Sequence, residues 1–306
     1  MPQLPSSLSR LTHLTPTRLR TRYHWHIMSN NAPAPSRPLK ILMLHGYTQS
    51  GPLFQAKTGA LRKTLQKSFP AGCELVYPTA PIRLTPADES FLAGSANKES
   101  ENGSEEKEEI DAWAWWKRKG DGEPYTYEGI ETGLATIADA LKTQGPFDGV
   151  VGFSQGGACA AMVASLLEPG RHEAFNAKIG QGGMSFPESF EGSIHPPLKF
   201  AVSYSGFAAR GMNPYHAFYE PKIKTKVLHF LGTQDVVVEE KRSLALVEAC
   251  EHTEDKYVVY HPGGHFLPST QKASVNALIG FIKEVMQGEE GTKKEEESVE
   301  DMDVPF

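Results

Sequence analysis

Residues Phe147-Asp-Gly-Val-Val-Gly-Phe-Ser-Gln-Gly-Gly-Ala158 join a short apolar β-type run to a glycine-flanked serine and then to a helix start built from small residues. This order is that of the G-x-S-x-G elbow, in which a serine occupies a strained strand-to-helix turn above a sheet. Gly152 and Gly156 fall where side chains would collide with neighbouring backbone. Ser154 is therefore the candidate nucleophile. The backbone N–H of Gln155, at the positive end of the following helix, is expected to point at an oxygen that becomes negative during acyl transfer. A motif this short carries little weight alone. Its context adds weight, because Gly149–Phe153 reads as a buried strand and Ala158-Cys-Ala-Ala-Met-Val-Ala-Ser-Leu-Leu167 as a packed helix.

A serine needs a base to take its proton and a carboxylate to orient that base, in the chain order Ser, Asp or Glu, His. Lys226-Val-Leu-His-Phe-Leu231 is a strand candidate that runs into Gly232-Thr-Gln-Asp235, which sets Asp235 on the loop at a strand's C-terminal end. Tyr257–Tyr260 is a further strand, followed by His261-Pro-Gly-Gly-His265. The glycines let that loop fold back over the nucleophile, so His265 is the candidate base, with His261 as the alternative. Glu239 and Glu240 are alternatives to Asp235, but they open an expected helix, where acidic residues suit the N-terminal dipole.

Near the start, Lys40-Ile-Leu-Met-Leu44 is an apolar strand leading into His45-Gly-Tyr-Thr-Gln-Ser-Gly51. The backbone N–H of Tyr47 is the expected second oxyanion donor beside Gln155, with Thr48 as a helper and His45 holding the loop.

These segments resemble those of the FSH-type serine hydrolases, a eukaryotic branch of the α/β-hydrolases. The resemblance is carried by Leu44–Gly51 with Lys57-Thr-Gly-Ala-Leu-Arg62, Trp115-Trp116, Gly145–Gly156, Ser205-Gly-Phe207, Gly232–Asp235 and Gly263-Gly-His265. It implies hydrolysis of carboxylic esters or thioesters, some members releasing acyl chains from fungal polyketide synthases. A small-molecule ester or thioester is the expected substrate, and a thioesterase unloading an acyl carrier protein is the alternative. No cofactor and no metal is expected. A reading of another class is a non-catalytic binding module on the same fold; an intact Ser154, Asp235 and His265 argue against it.

The alternation of strands and helices from Lys40 to Gln287 predicts an α/β-hydrolase fold, a mostly parallel central sheet with helices on both faces, in a chain of 306 residues. The expected organisation is a flexible basic N-terminal arm over 1–38, a serine hydrolase domain over 39–287 and a disordered acidic tail over 288–306. A polar insertion near 86–111 contains the run Lys98–Glu109 and is expected to be disordered. The aromatics after it, Trp113, Trp115 and Trp116 with Tyr125 and Tyr127, read either as core packing or as an apolar wall for an acyl chain. Trp115 and Trp116 are the candidate substrate contacts under the second reading. Gly180–Phe190 is a second lid candidate, and Tyr127–Lys142 shows helical spacing on one face.

Net charge is −6, so nothing favours a nucleic-acid partner. The turn Gly152–Gly157 lacks G-x-G-x-x-G spacing, which disfavours a dinucleotide-dependent oxidoreductase. Dehalogenase and epoxide hydrolase chemistry would want an aspartate at position 154. Cys73, Cys159 and Cys250 are odd in number and far apart, which suggests a reducing compartment without a disulfide framework. No run of about 18 apolar residues is present to span a membrane. A cytoplasmic or nuclear location is expected. Arg10, Arg18, Arg20 and Arg22 in an arm without acids make mitochondrial targeting the alternative, and Met28 reads as a second start codon.

Overall fold

Apolar residues in unbroken runs, such as Ile41–Leu44 and Phe200–Val202, suit strands covered on both faces, and the chain folds accordingly. The structure, a computed structural model, describes residues 37–86, 88, 111–120, 125–209 and 214–300, with side chains as far as Gly288. The strands are β1 (Leu39–Leu44), β2 (Cys73–Val76), β3 (Ile82–Arg83), β4 (Trp113–Ala114), β5 (Lys117–Lys119), β6 (Thr126–Glu128), β7 (Gly149–Phe153), β8 (Phe200–Tyr204), β9 (Lys226–Gly232) and β10 (Val258–His261). The helices are α1 (Gly51–Lys57), α2 (Gly59–Ser68), α3 (Ile130–Gln144), α4 (Gln155–Leu166), α5 (Arg171–Ile179), α6 (Glu240–Glu248) and α7 (Lys272–Glu300).

Among the described residues, the main sheet has six strands in the order β10-β9-β8-β7-β1-β2, every neighbouring pair parallel. Each strand turns alternate residues to opposite layers. Ile41 and Met43, Phe200 and Val202, and Leu228 and Phe230 face α1, α2 and α7, where Phe54, Leu61, Leu278 and Ile282 complete the layer. Leu42 and Leu44, Ala201, and Val227 face the other layer, with Ile137 and Leu141 of α3, Phe175 of α5 and Leu246 of α6. Helix α4 is buried over its whole length and is built of glycine, alanine and other small residues beside β7 and β8. Larger side chains would not fit so close to the sheet.

The strand order reverses between β1 and β7, which lie side by side with Leu44 opposite Gly152. A crevice at the C-terminal ends of strands where the order reverses is the usual place for a ligand site in an open α/β sheet. The loops after β1, β7, β9 and β10 all leave from that edge. They carry Tyr47, Ser154, Asp235 and His265.

Helix α7 runs on to Glu300, through residues that the sequence assigns to an acidic tail. The Glu- and Lys-rich stretch after Gly291 has the composition of a good helix former. The insertion expected near 86–111 and the arm up to residue 36 fall almost wholly outside the described residues, as does the tail beyond Glu300. Among the described residues, no helix is long and apolar enough to cross a membrane.

Candidate active site

The chain enters the elbow on β7 and leaves it on α4, with Ser154 between them at φ 54° and ψ −116°. A non-glycine residue at positive φ is strained, and its neighbours must hold it there. The Ser154 N–H donates to Tyr204 O at 2.8 Å, and Ala158 N–H donates to Ser154 O at 3.0 Å. A Cβ on Gly152 would run into the backbone of Gly156, and one on Gly156 into the carbonyls of Leu44 and His45. The two glycines are thus required by close backbone approach, as the motif predicts.

His265 reaches Ser154 from the loop after β10. Its Nε2 lies 2.9 Å from Ser154 Oγ, and its Nδ1 lies 2.8 Å from Asp235 Oδ2. A carboxylate can only accept, so Nδ1 carries the proton and Nε2 is left to accept from the serine hydroxyl. The ring is also packed against Phe153, with centroids 4.9 Å apart. Asp235 in turn accepts at Oδ1 from the N–H groups of Val237 and Val238, at 3.0 and 2.9 Å. Burial pushes this carboxyl up, but the hydrogen bonds from His265 and Val238 outweigh burial and hold its pKa at about 2. The Asp235 side chain is 5% exposed and that of His265 17%, so the pair is shielded yet reachable.

The alternatives separate cleanly. His261 ends β10 and is buried, with its ring against that of Phe266. Glu240 accepts from Tyr260 OH at 2.6 Å, and Glu239 pairs with Lys241 at 2.7 Å. The side chain that does meet both Ser154 Oγ and Asp235 is that of His265.

In the loop after β1, His45 is fully buried and held by two bonds. Ala80 N–H donates to its Nε2 at 3.0 Å, which leaves Nδ1–H to donate to Gly46 O at 2.8 Å. Burial pushes the imidazole down to about pKa 4, so the ring is neutral and serves to anchor the loop. The Tyr47 ring packs beside Leu84, Ala112 and Ala114. Thr48 takes φ 67°, and its N–H donates to Trp113 O at 3.0 Å. That donor is therefore spent on the scaffold, and the helper role expected of Thr48 falls away for its backbone. Gln155 is the first residue of α4, so its N–H has no acceptor within the helix.

Trp115 and Trp116, expected as candidate substrate contacts, are 0% and 2% exposed. The Trp115 indole Nε1–H donates to His45 O at 2.9 Å, and Trp116 stacks on Tyr127, which stacks on Tyr215. Both indoles are enclosed by the core. Sequence reasoning missed the Gln155 side chain. Its Oε1 accepts from Trp115 N–H at 2.9 Å and its Nε2 donates to Trp116 O at 2.7 Å. A polar residue inside a buried small-residue helix was the only available signal. The lid candidate Gly180–Phe190 sends Phe186 and Phe190 into the core on the α5 side.

A sequence model of the serine hydrolase (FSH1) family matches residues 35–277. The chain is 34% identical over 240 residues to Esterase OVCA2 of Danio rerio, covering 76% of this chain and 91% of that protein. It is 31% identical over 282 residues to Family of serine hydrolases 3 of Saccharomyces cerevisiae, covering 88% of this chain and 94% of that protein. A Dihydrofolate reductase of Schizosaccharomyces pombe is 37% identical over 241 residues, but the chain spans only 44% of its length. Among solved structures, esterase PE8 superposes with a TM-score of 0.50 at 19% identity, over 83% of this chain and 96% of that one, and so shares the fold. The α/β-hydrolase fold and the match over most of its length make this chain a member of the FSH1 serine hydrolase family.

Proposed function

We propose that the protein hydrolyses carboxylic esters or thioesters through an acyl-enzyme on Ser154. The observation that carries this reading is the unbroken hydrogen-bond chain from Ser154 Oγ through His265 to Asp235, at 2.9 and 2.8 Å. In the first half-reaction, Ser154 Oγ bonds to the acyl carbon as its proton passes to His265 Nε2, and the carbonyl electron pair becomes an oxyanion. The N–H groups of Tyr47 and Gln155 are the donors for that oxygen. Collapse of the intermediate expels the alcohol or thiol, which leaves with the proton from His265. Water then adds to the acyl carbon with His265 as base, and the acid departs as Ser154 regains its proton. Asp235, ionised throughout, favours the imidazolium formed in each half.

The name of the Danio rerio relative, an esterase, supports oxygen esters as the first substrates to try. Thioesters, free or on an acyl carrier protein, fit the same chemistry and are the second. Labelling with a fluorophosphonate, read by intact mass, tests the reading. One adduct on the wild type and none on Ser154→Ala or His265→Ala is expected. A folded wild type that takes no label, or an adduct that persists in Ser154→Ala, would overturn it.

A further inference from the structure

The segment Trp113–Trp116 touches both halves of the proposed oxyanion hole. On one side it is stitched to the loop after β1. Thr48 N–H donates to Trp113 O at 3.0 Å, Trp113 N–H donates to Gln49 O at 3.2 Å, and the Trp115 indole donates to His45 O at 2.9 Å. On the other side the Gln155 side chain grips the same segment, taking Trp115 N–H at 2.9 Å and giving to Trp116 O at 2.7 Å. Helix α3 closes over this arrangement at Gly133, where a Cβ would strike the Trp115 carbonyl. All of these bonds to Trp115 and Gln155 are buried.

An oxyanion hole poses a mechanical problem. Its donors must stand at a fixed separation before the charge appears. Tyr47 and Gln155 leave from different strands, so their separation depends on whatever joins the two loops. Trp115 does this directly, with its indole on the His45 carbonyl and its backbone on the Gln155 amide. Buried hydrogen bonds of this kind, fully satisfied, fix one arrangement far better than apolar packing does.

We propose that Trp115 and the Gln155 side chain are positioning residues for the reaction, forming a brace that sets the distance between the Tyr47 and Gln155 N–H donors. The inference rests on the oxyanion assignment made above. Neither group touches the reacting atoms; each acts through the loop it holds. A brace differs from ordinary core packing in what its loss does. Weakened packing lowers the melting temperature, whereas a loosened brace selectively weakens binding of an oxyanion.

The test compares wild type with Trp115→Phe, which removes the indole donor, and Gln155→Met, which keeps the length and removes both amide bonds. Three quantities are read: kcat and KM on a short p-nitrophenyl ester, the melting temperature, and the inhibition constant of an alkyl trifluoromethyl ketone. The hydroxyl of Ser154 adds to that ketone's carbonyl carbon, His265 takes the proton, and the new oxyanion sits in the hole. Loss of a whole donor costs about 10²–10³ in kcat, so a misplaced one should cost about 10–100-fold, with KM within about twofold. The ketone should weaken by the same factor as kcat/KM. An unchanged kcat in a folded variant, or a loss confined to KM with ketone affinity intact, would overturn the proposal. Loss of folding in both variants would also overturn it, because the bonds would then serve the fold alone. Failure of the Ser154 reading looks different: wild type would bind the ketone no better than Ser154→Ala.

Discussion

His265 Nε2 meets Ser154 Oγ at 2.9 Å across 111 positions of sequence, through two loops that leave the same edge of the sheet. Replacing Ser154 by alanine removes the hydroxyl that meets that imidazole. Turnover of p-nitrophenyl esters should fall by at least about 10³-fold while the melting temperature stays within a few degrees. Steady-state kinetics beside thermal melting checks this, and substantial esterase activity in the folded variant would rule out Ser154 as the nucleophile.

Asp235 holds the far side of the same imidazole at 2.8 Å. An asparagine there keeps the shape but gives the ring a neutral partner, which neither fixes the Nδ1–H tautomer nor favours the imidazolium. We expect Asp235→Asn to lower kcat by roughly 10²–10⁴-fold with a smaller effect on KM. A variant with wild-type kcat would show that His265 is oriented by other means, and Phe153, packed on the ring at 4.9 Å, would be the next residue to change.

The parts of the site carried by local sequence were readable, and those carried by distant contact were not. Gly152, Ser154 and Gly156 announce a turn because their spacing dictates backbone approach within a few residues. Asp235 and His265 each follow an apolar strand run, so chain order and sheet edge were enough to nominate them. Trp115 and Trp116 gave two readings, since an aromatic pair suits a core and a pocket equally well. Only their partners decide: His45 O lies 70 positions from the Trp115 indole, and the Gln155 amide 40 positions from the Trp115 N–H. The same distance hid the Gln155 side chain and the commitment of the Thr48 N–H to Trp113. In the fold, strand and helix positions were legible from apolar runs, whereas the strand order β10-β9-β8-β7-β1-β2 required pairing that no local pattern encodes.

Two buried histidines should make the protein lose stability in mild acid. Burial pushes His45 down to about 4 and His229 down to about 3. Unfolded, either ring takes a proton near pH 6.5, but the folded protein refuses it until much lower pH. The unfolded state therefore binds more protons over pH 6.5 to 4, and stability falls as pH falls through that window. Each ring contributes about 1.4 kcal/mol per pH unit, and the contribution is complete above pH 6.5. Denaturant unfolding from pH 7 to pH 4 measures the slope. His229→Leu should reduce it by about that amount, and an unchanged slope would show that His229 is protonated in the folded state.

The elbow stores strain that a change of one residue can release. Ser154 sits at φ 54° and ψ −116°, a conformation that costs a residue with a Cβ about 1–3 kcal/mol and costs glycine much less. Glycine also gains freedom in the unfolded chain, which offsets about 0.5–1 kcal/mol of that relief. Of two inactive variants, Ser154→Gly should therefore equal or exceed Ser154→Ala in stability. The reverse order would mean that the turn relaxes when the hydroxyl is lost. Gly156→Ala supplies the opposite case. Its Cβ would be forced into the Leu44 and His45 carbonyls, which belong to β1 and to the loop that carries Tyr47. Folding should fail or the melting temperature drop sharply. If the variant does fold, the displaced loop should cost kcat more than KM, because the proposed Tyr47 donor moves with the backbone that the new methyl group pushes aside.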